Sequence, residues 1–128
     1  MNIVKDYNGK ELTMTVEGRI DTITSQDLEK EINEEIGSFN SLIMNFEKVE
    51  YVSSAGLRLL ISTQKKLKEE NIPFAIKNVG DAVNEIFKMS GFDKIFNIEW
   101  KRLNNKFTIR KLVKSEYNEM KERYNEEE

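Results

Sequence analysis

Apolar and polar positions alternate one by one from Leu12 to Glu17: Leu12, Met14 and Val16 interleave with Thr13, Thr15 and Glu17. That period belongs to a strand with one buried face. Ile3 to Tyr7 precedes it across Asn8-Gly9, the pair that most readily supplies the positive φ angles of a tight turn. The chain is therefore predicted to open on an antiparallel hairpin. Gly18-Arg19-Ile20-Asp21 breaks the alternation, and Thr24-Ser25-Gln26-Asp27 then sets a hydroxyl three residues before a carboxylate, a capping-box variant. Leu28, Ile32 and Ile36 come next at every fourth position with charged residues between them. This predicts an amphipathic helix ended by Gly37.

A short apolar run, Leu42-Ile43-Met44 with Phe46, predicts a buried strand, and Leu57, Leu60, Ile61 and Leu67 then recur with the helix period. Between them lies Tyr51-Val52-Ser53-Ser54-Ala55-Gly56. Two hydroxyls thus fall where a strand turns into a helix, where side-chain oxygens cap free N–H groups and the positive end of the helix dipole favours an anion. A serine there can cap the helix or carry a phosphate. Asn71-Ile72-Pro73 stops the helix and Phe74 to Val79 supplies another strand. Gly80-Asp81 opens a helix with Val83, Ile86 and Phe87 on its apolar side, Ser90-Gly91 closes it, and Asp93 to Ile98 gives a short edge strand.

The expected fold is α/β: a mixed four- to five-stranded sheet opening with a β-hairpin, its later strands joined by right-handed crossover helices. One domain over residues 1–100 accounts for these elements. From Trp100 the composition shifts to charge, with Tyr117, Met120 and Tyr124 at helical spacing after Ser115. Residues 101–128 are read as a charged C-terminal extension, helical from about residue 115 and accessory to the domain.

Composition narrows the function. The 128 residues carry a net charge of −3, which supplies no basic field for nucleic acid. Cysteine and histidine are both absent, which removes thiolate chemistry, imidazole metal ligands and any Ser-His-Asp triad. No GxxxxGK[ST] or GxGxxG loop occurs. The abundant carboxylates, Asp21, Glu47 and Glu50 among them, have the look of a solvated surface. The expectation is a non-enzymatic protein with no cofactor and no metal. The amino terminus has no apolar core of signal-peptide length and no later run is long enough to span a bilayer, so a cytoplasmic protein without membrane contact is expected.

The segment from Tyr51 to Leu60, directly after Phe46-Glu47-Lys48-Val49, resembles the STAS domain of bacterial anti-sigma-factor antagonists. In that family a strand ends in a short loop carrying a phosphorylatable serine before a Gly-Leu helix start. Gly18-Arg19-Ile20-Asp21 is similar to the family's Gly-x-Leu/Ile-Asp, and Gly80-Asp81 through Phe92 to its late helix and Ser-Gly segment. The resemblance covers residues 3 to about 98. It implies that Ser54, two residues before Gly56, is the phosphorylation site, with Ser53, which stands where the family often has aspartate, as the alternative. It implies a partner-binding surface at Asp21, Ser53, Ser54, Gly56 and Arg58. For Asp21 a second reading remains, a turn or helix-leading residue. The implied partners are an anti-sigma factor with serine-kinase activity and a phosphatase, in a partner switch that controls transcription. A rival reading is a STAS scaffold that oligomerises, as a homodimer for instance, or senses a ligand, with both serines as plain caps.

Overall fold

The computed structural model describes residues 1–100 together with Arg110 and Lys111. Strands β1 (Asn2–Asn8) and β2 (Glu11–Ile20) form the opening hairpin, with Ile3 opposite Val16 and Tyr7 opposite Leu12. The loop is Gly9-Lys10, not Asn8-Gly9: Asn8 stays paired with Glu11 and the positive φ, 63°, falls on Gly9. Glycine at the first central position is what a type II′ turn requires, and that turn matches the strand twist.

Helix α1 (Thr24–Glu35), β3 (Ser41–Val52), α2 (Ser54–Glu69), β4 (Phe74–Val79), α3 (Asp81–Ser90) and β5 (Asn97–Trp100) come after the hairpin in turn. A two-residue β6, Arg110–Lys111, pairs antiparallel with β5. The strands lie side by side in chain order, and β2 to β5 are parallel. Parallel neighbours need long crossovers, and the three helices provide them. The expected α/β architecture is present, while β6 falls in the stretch read as a charged extension. The helix expected from about residue 115 lies outside the described residues.

Because the strand order never reverses, crossovers of one hand place all three helices on one face of the sheet. Leu12, Met14 and Val16 of β2, Leu42, Met44 and Phe46 of β3, Ile76 of β4 and Ile98 of β5 are buried completely on that face. Thr13, Thr15, Ile43, Asn45, Ala75 and Lys77, which alternate with them, remain partly exposed. The core is a single layer between sheet and helices. Phe87 of α3 joins it to the sheet, with its ring centroid 6.4 Å from Phe46 and 5.8 Å from Phe96.

Three boundaries differ from the pattern. Strand β2 continues through Gly18 to Ile20, because register shifts at Thr15/Glu17 and Gly18/Arg19, with Gly18 at φ 107°, absorb the broken alternation as bulges. Strand β3 runs past Phe46 to Val52 beside it. Phe92–Lys94 takes a 3₁₀ turn, so β5 begins at Asn97 and not at Asp93, and it is not the edge strand expected, because β6 pairs along its outer side.

The outer strand β1 is tied to α1 through charge. Lys5 Nζ pairs with Glu31, lies 3.2 Å from Glu35 and 3.7 Å from Glu34, and the Tyr7 hydroxyl donates to Glu35 at 2.6 Å. The hydrogen bond to Glu31 is the main cause that holds Lys5 well above its ordinary range, against the lowering effect of burial. Glu35 is lowered by the Tyr7 and Lys5 bonds.

Candidate functional site at the start of α2

The parallel strands β2 and β3 end together, and the site is formed by the β2–α1 loop and the first turn of α2. Ser53 N–H donates to the Ile20 carbonyl at 2.8 Å, so the start of α2 is hung from the last residue of β2. Ser53 has extended backbone angles, φ −81° and ψ 174°, and its Oγ accepts the Gly56 N–H at 3.2 Å while its carbonyl accepts from Leu57 N–H at 2.8 Å. That is the geometry of an N-cap. Of the two hydroxyls the sequence left open, the cap belongs to Ser53.

Ser54 is the first residue of α2 and is exposed. Its hydroxyl makes no hydrogen bond among the described residues. Arg58 is exposed one turn further along the same helix. Gly56 is buried, and the reason is steric: a Cβ there would lie 2.8 Å from Ile20 Cγ2, 2.9 Å from Val52 Cγ1 and 3.0 Å from the Ile20 carbonyl oxygen. Only glycine lets the first turn of α2 sit this close to the ends of β2 and β3.

Asp21 opens the loop between β2 and α1. Its Oδ1 accepts from Ile23 N–H at 3.0 Å and from Thr24 N–H at 2.9 Å, and its own N–H donates to Thr24 Oγ1 at 2.8 Å. The Thr24 hydroxyl donates to the Arg19 carbonyl at 2.7 Å. The capping box expected between Thr24 and Asp27 does not form, since α1 begins at Thr24 itself and Asp21 takes the cap from outside the helix. Asp21 therefore is a helix-leading residue, and its Oδ2, with no hydrogen bond among the described residues, remains able to accept one. The bonds from Thr24 and Ile23 lower its carboxyl below the ordinary value of 3.8.

Two features of this end escape a reading by sequence pattern. The Arg19 guanidinium lies over the Tyr51 ring at 4.4 Å, joining the ends of β2 and β3 on the surface. Ile23 is 75% exposed beside Asp21. An aliphatic residue set among polar ones just before a helix was the available signal, and periodicity does not register it. Among the described residues no cluster of three His, Cys, Asp or Glu side chains could hold a metal, and no helix is long and apolar enough to cross a membrane.

The sequence model of the STAS domain matches residues 2–105. The chain belongs to the STAS domain family. It is 29% identical over 96 residues to the anti-sigma-F factor antagonist RsfB of Mycobacterium tuberculosis, covering 74% of this chain and 77% of that protein. The crystal structure of an anti-sigma factor antagonist from Mycobacterium paratuberculosis is similar, with TM-score 0.70 and 26% identity over 81% of this chain and 88% of that one. The Bacillus cell fate determinant SpoIIAA in its phosphorylated form shares the fold, with TM-score 0.61 and 17% identity over 76% of this chain and 90% of that one.

The carboxylates of this STAS domain make its stability depend on pH. Asp21 and Glu35 have folded-state pKa values below their ordinary 3.8 and 4.5, so the stability they contribute is present above those values. It is lost as pH falls through the lowered folded values. Urea midpoints should therefore fall as the solution is acidified from pH 4.5, and fall less steeply for Glu35→Gln. Identical acid slopes for the two chains would show that Glu35 is not lowered in the folded state.

Proposed function

We propose that this chain is an anti-sigma-factor antagonist switched by phosphorylation of Ser54. In the unphosphorylated state it docks on an anti-sigma factor with serine-kinase activity through the surface around Asp21, Ser53, Ser54 and Arg58, and a sigma factor is released; Gly56, expected on that surface, is buried and acts beneath it by seating the first turn of α2. The partner kinase then transfers the γ-phosphoryl group of ATP. The Ser54 Oγ–P bond forms, the phosphoanhydride bond breaks, ADP leaves, and the hydroxyl proton passes to a base on the kinase. A phosphatase reverses the step with water. Catalysis lies in these partners, so the domain itself is a binding module.

The observation that carries this reading is the division of labour between the two serines. Ser53 is held by the cap, while Ser54 presents a free, exposed hydroxyl. The names of the relatives support the antagonist role, and one protein of this fold has been solved in a phosphorylated form. A phosphoserine carries about −1.5 to −2 charges at neutral pH and would sit in the middle of the docking surface.

The test uses an anti-sigma factor with serine-kinase activity. With ATP it should add one phosphate, and phosphopeptide mapping should find it on Ser54. Ser54→Ala should keep partner affinity, because a first-turn hydroxyl without a bond contributes little, whereas Ser54→Asp should weaken it by about tenfold or more in calorimetry. A phosphate on Ser53, or equal affinity for Ser54→Asp and the unaltered chain, would refute the assignment.

A further inference from the structure

The structure also points to a receiver for the phosphate. Ser54 and Arg58 are one turn apart on α2 and both are exposed. Side chains of a helix lean towards its N-terminus, so a residue four positions on reaches back over its predecessor. An anion at the earlier position and a cation at the later one is the favourable order for such a pair. Nothing else on the helix competes for Arg58: its neighbours at three and four positions are Ser54, Ala55, Ile61 and Ser62, all uncharged. The ion pairs formed among the described residues belong to Lys5 and Lys88, and Arg58 enters none of them. The other guanidinium at this end, Arg19, is engaged over the Tyr51 ring, and the loop carboxylate of Asp21 uses Oδ1 to hold the start of α1.

We infer that Arg58 is the internal receiver of the phosphate on Ser54, pairing its guanidinium with the phosphoryl oxygens in a charge-assisted, two-pronged contact. This rests on the reading of Ser54 as the phosphoacceptor and extends it. The switch then acts twice. Phosphorylation adds negative charge to the docking surface, and it withdraws from that surface the cation presented by the first two turns of α2. A partner that meets Arg58 with a carboxylate loses that contact at the moment it meets the phosphate. Ser53 keeps the helix capped throughout, so the exchange needs no unfolding of α2.

The experiment installs phosphoserine at position 54 during translation, which needs neither kinase nor anti-sigma factor. Thermal unfolding is compared for the full chain with serine or phosphoserine, each with Arg58 or with Arg58→Gln. The phosphate should raise Tm by about 2–4 °C more in the Arg58 chain than in Arg58→Gln. Arg19→Gln should leave that gain intact. The ³¹P resonance of the phosphoserine should likewise move on Arg58→Gln and stay in place on Arg19→Gln. Equal gains with and without Arg58, or a gain removed equally or only by Arg19→Gln, would overturn the assignment. Because the phosphate is placed without a kinase, a negative result here is distinct from a kinase that selects another residue.

Discussion

Phe87→Ala should cost about 3–5 kcal/mol of folding stability, enough to remove a large part of what a domain of this size possesses. Phe87 is completely buried and is, with Val83, a residue through which α3 joins the core. Its ring meets Phe46 from β3 and Phe96 from the segment entering β5, and Phe96 in turn meets Phe74 of β4 and Phe92 at edge-to-face angles. Removing the ring forfeits its transfer free energy and leaves a hole between Phe46 and Phe96 that the surrounding core fills only in part. The comparison that isolates packing lies on the same helix. Met89 is 86% exposed, and Met89→Ala should change stability by no more than about 0.5 kcal/mol. Urea unfolding of the two variants decides the matter, and comparable losses for both would mean that α3 is not seated on the sheet through Phe87.

The fold is legible because strand and helix periods change cleanly along this chain. Leu12, Met14 and Val16 mark a one-sided strand, and Leu28, Ile32 and Ile36 mark a helix stripe, each without help from distant residues. What periodicity misses is set by the backbone. The pattern breaks at Gly18, yet a bulge keeps the end of β2 paired with β3. The pattern offers Thr24 and Asp27 as the cap of α1, yet the cap comes from Asp21, because the start of a helix is fixed by the loop that enters it. Strand β6 adds only two residues to a stretch dominated by charge, too few to show a period.

The site is legible in its location and open in its assignment. Two adjacent serines at a strand-to-helix junction are equivalent in a pattern, since either can be the cap. The hydrogen bond from Ser53 N–H to the Ile20 carbonyl fixes which residue precedes the helix, and the cap then falls to Ser53. Arg19 and Tyr51 lie far apart in the chain, and only the β2–β3 register brings them together.

Gly56→Ala should destabilise the domain and distort the proposed docking surface at the same time. Alanine is the better helix former by about 1 kcal/mol, so at an open position the change would stabilise. Here the new Cβ would lie 2.8 Å from Ile20 Cγ2, 2.9 Å from Val52 Cγ1 and 3.0 Å from the Ile20 carbonyl oxygen. The side chains can turn aside in part. The carbonyl cannot, because it accepts the Ser53 N–H that hangs α2 from β2. Overpacking of this kind costs about 1–3 kcal/mol, and a contact on backbone places it at the upper end, so a net loss of about 2 kcal/mol is expected. The first turn of α2 must move outward to relieve the clash, carrying Ser54 and Arg58 with it and stretching the bond from Gly56 N–H to Ser53 Oγ. Partner affinity should therefore fall by more than the fraction unfolded explains. Val52→Ala removes one of the clashing methyls, so the double variant should lose less than the sum of the single losses. Strict additivity of Gly56→Ala and Val52→Ala in urea unfolding would show that the glycine is not there for close packing, and the account of how α2 is seated would fall with it.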